Sequence, residues 1–196
     1  MPSLVRSFGF DSVLTQLLTV PIFFVGVGIY IGISFWSDKI QQRAVFMVGG
    51  AFTVSLGYAP HLLGLPMSQK GTLYFSCFLV VPGLYCMLGL NYVWMLGSHA
   101  GYYKRATCIG INMTIGNSAG LLIGQIFKDR THEGRYLIGV ATSMACGLAC
   151  IIVIGLIYFH LRKQNRIRDA LTPEERQRWI DEGASGDFHL DYRYIL

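Results

Sequence analysis

Charge is what this sequence lacks over most of its length. Of its 196 residues only 14% are Asp, Glu, Lys or Arg, while 53% are hydrophobic and the mean hydropathy is positive. Soluble domains carry about 25% charged residues, so the composition excludes that class and points to a membrane protein. Five runs contain none of those four residue types: Ser12–Ser37, Ala44–Gln69, Gly71–Tyr103, Ala106–Phe127 and Tyr136–Leu161. Each exceeds the roughly 20 residues that a bilayer-spanning helix requires. The expected fold is therefore all-α and polytopic, a bundle over residues 1–161 with five transmembrane helices near 13–36, 44–62, 71–95, 106–127 and 136–161. The first run is longer than the roughly 7–15-residue core of a signal peptide and follows acidic Asp11, so it is expected to stay in the mature chain.

The spans also lack ionisable groups at mid-depth. His61, His99 and His160 fall near span ends, where an interfacial histidine is the plain reading, so no intramembrane proton carrier is indicated. No acid–base pair of the kind a membrane hydrolase needs is present, which argues against an enzyme. All five cysteines lie inside spans, with no Cys-x-x-Cys and no Cys/His spacing of a zinc site, so no metal and no cofactor is expected. Cys146 and Cys150 share a face among small residues and read as part of a helix contact.

What the spans do contain is small residues at regular spacing. Asn112, Gly116, Gly120 and Gly124 make one stripe on the fourth span, a face on which another backbone can approach closely, and the first span is its expected partner. Gly28 and Gly32 repeat the spacing in the first span. Pro82 with Gly83 interrupts the third, as where transporter helices bend or unwind. Tyr85 and Asn117 are the polar side chains left at mid-depth, with Gln16 nearer one end.

Orientation follows from the bases. Lys39, Arg43, Lys104, Arg105, Arg162, Lys163, Arg166 and Arg168 fall on one side of a five-span chain, against Arg6, Lys70, Lys128, Arg130 and Arg135 on the other, which places the carboxyl end in the cytoplasm. Residues 162–196 balance seven basic against seven acidic groups, so the net +5 belongs to the membrane part, where bases are interfacial anchors; nucleic acid is not implied. In this tail, Thr172, Pro173 and Glu175 form a capping box for a short helix over about 173–183. Trp179 and Ile180 would rest on the membrane surface or be solvated.

Three charges gather in "SFWSDKIQQRAVF", residues 34–46. Gly32, Asp38, Lys39 and Arg43 resemble the loop motif of the major facilitator superfamily, roughly G-x-x-x-D-[RK]-x-x-x-R. The opening "MPSLVRSFGFDSVLTQLLTVPIFF", the stretch "HAGYYKRATCIGINMTIGNSAGLLIGQIFKDR" and the ending "GDFHLDYRYIL" are similar to the fungal anion:cation symporter branch, which includes allantoate, nicotinate and pantothenate permeases. Ser98 departs from that branch's Asn before the loop glycine, Gly101.

The resemblance covers almost the whole chain and implies helices eight to twelve of a twelve-helix fold, a carboxyl-terminal fragment. It implies part of a proton-coupled secondary transporter for small organic anions in the plasma membrane, with the missing amino-terminal half or another transporter as partner. The alternative is a non-transporting five-helix membrane protein. Gly32, Asp38, Lys39 and Arg43 would be a conformational switch, Asp38 accepting N–H bonds at the start of the second span. Gly101, Lys104 and Arg105 would form a second inner loop, and Tyr85 and Asn117 would line the substrate path.

Overall fold

The computed structural model describes residues 12–63, 70–126, 137–181, 189 and 192–195. Its regular structure in these parts is all helical. The elements are α1 (Ser12–Ile40), α2 (Arg43–Leu62), α3 (Lys70–Gly97), α4 (Tyr102–Ile126), α5 (Leu137–Asp169) and α6 (Pro173–Asp181). Among the described residues, α1, α2, α3 and α5 are long and apolar enough to cross a membrane. The fourth expected span falls on α4, one continuous helix of 25 residues, which is not among these four because polar and small residues dilute its hydropathy. Arg6, Lys128, Arg130, Arg135 and Gly183 lie outside the described residues, as do the rest of 1–11 and of 182–188.

Helix α3 is the hub, because all three buried clusters share it. Ile22 of α1 joins Leu73, Cys77 and Val81 of α3. Val54 and Tyr58 of α2 meet Val80 of α3 and Val140 of α5. Towards the other end, Ala44 and Met47 of α2 meet Leu90, Trp94 and Ile154. Outward faces carry Phe24, Phe35, Ile115 and Ile152, each more than half exposed, as helices turned to lipid require.

Backbones come closest between α2 and α3. A Cβ on Gly83 would stand 2.6 Å from Gly50 O and from Thr53 Oγ1, and one on Gly57 would stand 2.5 Å from Val80 Cγ2. Lipid offers no hydrophobic incentive for helices to associate, so close approach over small residues is what holds such a pair. Pro82, expected to interrupt its helix, sits buried inside a continuous α3. Its missing N–H costs the helix one internal bond without ending it, as membrane-spanning helices allow. Farther along, His61 Nε2 lies 2.8 Å from Ser76 Oγ, whose own proton goes to Leu73 O at 2.6 Å, so the imidazole is the donor. That bond ties the end of α2 to the start of α3.

The glycine stripe on α4 behaves otherwise. Gly116 and Gly120 are exposed, no atom of another helix lies within 4 Å of where their Cβ would stand, and α4 touches α3 and α5 only sparsely. Among the described residues, the Cβ positions of Gly116 and Gly120 meet no atom of the first span, and those of Gly28 and Gly32 of α1 are equally open. The surroundings of Gly124, the last member of the stripe, lie outside the described residues. The reason is positional: α3 and α2 occupy the inner face of α1. Cys146 is likewise exposed, whereas Cys150 packs beside the cluster around Trp94.

Candidate functional site at the basic end of the bundle

Antiparallel helices bring three connections to one end. The α1–α2 turn, the α3–α4 turn and the end of α5 meet around Ala44, Trp94 and Ile154, and with them gather the bases expected on one side of the membrane.

Asp38 lies in the last turn of α1, and Arg43 is the first residue of α2. Between them Gln41 takes a positive φ of 58°, the left-handed conformation that reverses the chain in so short a link. Gln41 Nε2 donates to Asp38 O at 2.6 Å and its backbone N–H to Ser37 O at 2.9 Å. Arg43 Nη2 donates to Asp38 Oδ1 at 3.1 Å, with the arginine side chain 10% exposed and the aspartate 61%. The N-cap of α2 is Gln42, with no side-chain cap bond, so the expected capping of the second span by Asp38 is replaced by an ion pair within the turn. Among the described residues, Ser34 Oγ, Ser37 Oγ and Arg43 Nε are buried without a hydrogen-bond partner. Lys39 is exposed beside them.

The second turn is built on Gly101, whose φ of +98° suits glycine and starts α4, where Arg105 N–H donates to Gly101 O at 3.2 Å. Arg105 Nε donates to His99 O at 2.7 Å, and His99 Nδ1 lies 2.8 Å from Met95 O.

The third component has no counterpart in the sequence reading: the tail returns to the bundle. Trp94 Nε1 donates to Ile195 O at 2.7 Å and Tyr192 OH to Gly97 O at 2.6 Å. Asn165 grips the Tyr194 backbone from both sides, Nδ2 donating to Tyr194 O at 2.9 Å and Oδ1 accepting from Tyr194 N–H at 3.1 Å. Arg168 donates to Tyr192 O and to Tyr194 OH, with its guanidinium 4.5 Å from the centre of the Tyr194 ring. Arg193 pairs with Asp169 at 2.8 Å. The signal available in sequence was the crowding of Tyr192, Arg193 and Tyr194 after a charged helix. Between this tail, α3, α4 and α5 lies a cleft of about 570 Å³ that includes Lys104, His160 and Trp179.

Tyr85 and Asn117 do not meet. Tyr85 packs over Gly26 and lies 6.5 Å ring to ring from Phe23, while Asn117 is exposed on α4. Among the described residues no group of His, Cys, Asp and Glu could hold a metal ion.

The known proteins similar to this sequence are named as transporters. The whole chain aligns with an uncharacterized transporter of Schizosaccharomyces pombe at 34% identity over 200 residues, covering 38% of that protein. It matches 31% of the high-affinity nicotinic acid transporter of Saccharomyces cerevisiae at 34% identity, with 87% of this chain aligned. A major facilitator-type transporter of Emericella nidulans, hxnP, is 28% identical over 203 residues, all of this chain and 40% of the relative. The chain thus spans less than half the length of the curated relatives it matches. No family model matches, and no solved structure does.

Proposed function

We propose that this chain is the carboxyl-terminal part of a secondary transporter of the major facilitator type, in the anion:cation symporter branch, moving a small organic carboxylate with protons across the plasma membrane. The carboxylate reading leans on the nicotinic acid transporter among its relatives. The mechanistic reading leans on one observation, the buried Arg43 at a turn that also buries Ser34 Oγ and Ser37 Oγ without partners. Buried polar atoms are nearly always bonded, so such a cluster fits an acceptor supplied from outside this bundle. In a complete transporter, Arg43 would engage the other half in one state and keep only Asp38 in the other, while the halves rock about the substrate. The carboxyl end is then cytoplasmic, as the gathering of bases at that end favours. Tyr85 and Asn117 remain proposed path residues, contributed from different helices, and the Asn112–Gly116–Gly120–Gly124 face is proposed to meet helices beyond this chain.

Because Asp38 is largely exposed, its pair with Arg43 contributes about 1 kcal/mol or less, a shift of up to roughly fivefold between two states. Uptake of radiolabelled nicotinate and allantoate, in cells producing the chain alone and joined to the sequence encoded upstream of Met1, tests the reading. Uptake confined to the joined form is expected, with Asp38→Asn slowing it at unchanged surface abundance. No uptake in either form favours a non-transporting membrane protein, a reading that the open face of α4 also fits.

A further inference from the structure

We propose that the cleft at the basic end binds an anionic phosphate group carried on an apolar body. Its volume of about 570 Å³ falls within the roughly 300–1,000 Å³ of small-ligand sites. The basic side chains that reach it come from three elements: His99 in the α3–α4 turn, Lys104 in the first turn of α4, and His160 and Arg168 on α5. Among the described residues no carboxylate lines it, and Lys104 and Arg168 bring positive charge to its wall. Lys104 stands at a helix N-terminus, where the backbone dipole adds to that charge.

The walls are held in place. Arg168 is 6% exposed and fixed by Tyr192 O, Tyr194 OH and the Tyr194 ring, so the tail sets the direction of its guanidinium. His99 gives its Nδ1 proton to Met95 O, since a carbonyl can only accept, which fixes the tautomer and leaves Nε2 as the second ring nitrogen. Donors arriving from three elements suit a tetrahedral group with several acceptor oxygens better than a flat carboxylate met by one fork. Trp94 and Trp179 supply the apolar wall. Such a ligand comes from two sources: the headgroup of an anionic lipid at the membrane surface, or a soluble organic phosphate. The site is independent of which solute the bundle helps to move.

Native mass spectrometry of the purified chain in neutral detergent, titrated separately with phosphatidic acid, glycerol 3-phosphate and phosphatidylcholine, tests the site. Saturable binding of an anionic probe, and not of phosphatidylcholine, is expected. Lys104→Gln and His160→Gln, both at exposed positions, should each weaken it by roughly tenfold or more, as loss of a charge-assisted hydrogen bond does, with the melting temperature of each variant measured alongside. Lys163→Gln, exposed on α5 outside the cleft, should change nothing. Binding of phosphatidic acid alone assigns a lipid headgroup, and binding of glycerol 3-phosphate assigns a soluble phosphate. Absence of saturable binding by either, or equal binding by Lys104→Gln, His160→Gln and Lys163→Gln, overturns the proposal.

Discussion

Gly83 occupies a point where any side chain meets backbone. A Cβ there would approach Gly50 O, which cannot swing aside as a flexible side chain can, so Gly83→Val must push α2 from α3 and should lower stability by about 1–3 kcal/mol. Gly28→Ala, in open space, serves as the control. Thermal unfolding in detergent checks the pair, and equal melting temperatures would mean that α2 and α3 do not cross so closely. Glu175 tests a different kind of contact. Its carboxylate accepts from Thr172 N–H at 2.9 Å and Thr172 Oγ1 at 2.8 Å, and the backbone bond first, then the hydroxyl, hold its pKa below the usual glutamate value, with Arg178 adding a little. A depressed folded pKa means stabilisation that is present above the unfolded value and lost as pH falls through the folded one. Protection of the amides of residues 174–181, measured against the intrinsic exchange rate at each pH, should therefore fall on acidification through the carboxylate range in the native chain and not in Glu175→Gln. The capping box was legible because Thr172 and Glu175 are three residues apart, a local relation; the partners of Gly83 lie on another helix, about 30 positions away, and no spacing within the third span reveals them.

At the scale of elements, the returning tail is the feature the sequence concealed. Its contacts join Trp94 to Ile195 and Asn165 to Tyr194, pairs whose separation carries no periodicity, and the bonds go largely to backbone atoms that any residue would offer. A Cβ on Gly97 would stand 3.8 Å from Ile195 Cβ, within the roughly 3.5–4.5 Å of a disulfide. Gly97→Cys with Ile195→Cys should consequently cross-link under mild oxidation. Adding Asn165→Ala removes two hydrogen bonds, each worth about 1 kcal/mol, and should slow the cross-link several-fold. A cross-link that never forms, or one indifferent to Asn165, would place the tail elsewhere. The stripe on α4 teaches the complementary lesson: small residues every fourth position announce a contact, but not with whom.

For the molecule as a whole, the long apolar runs made the helical membrane fold legible, since length and hydropathy alone decide which segments cross a bilayer. The distribution of contacts was not legible, and it is uneven: α1, α2, α3 and α5 pack together while α4 stands at the margin. Sparse packing lowers the free energy of local opening. Amides of residues 106–121 should thus exchange faster than those of 72–95 in detergent, and equal protection would show α4 to be fully packed. The tail contact at Trp94 has an optical consequence. Of the three tryptophans, Trp36 faces outward at 64% exposure, Trp94 is buried with its indole N–H bonded to Ile195 O, and Trp179 lines the cleft. With Trp36 replaced by Phe, the remaining ultraviolet emission comes from the two indoles beside the docked tail. A shift of that emission to longer wavelength then registers, without any added dye, each departure of the tail from α3.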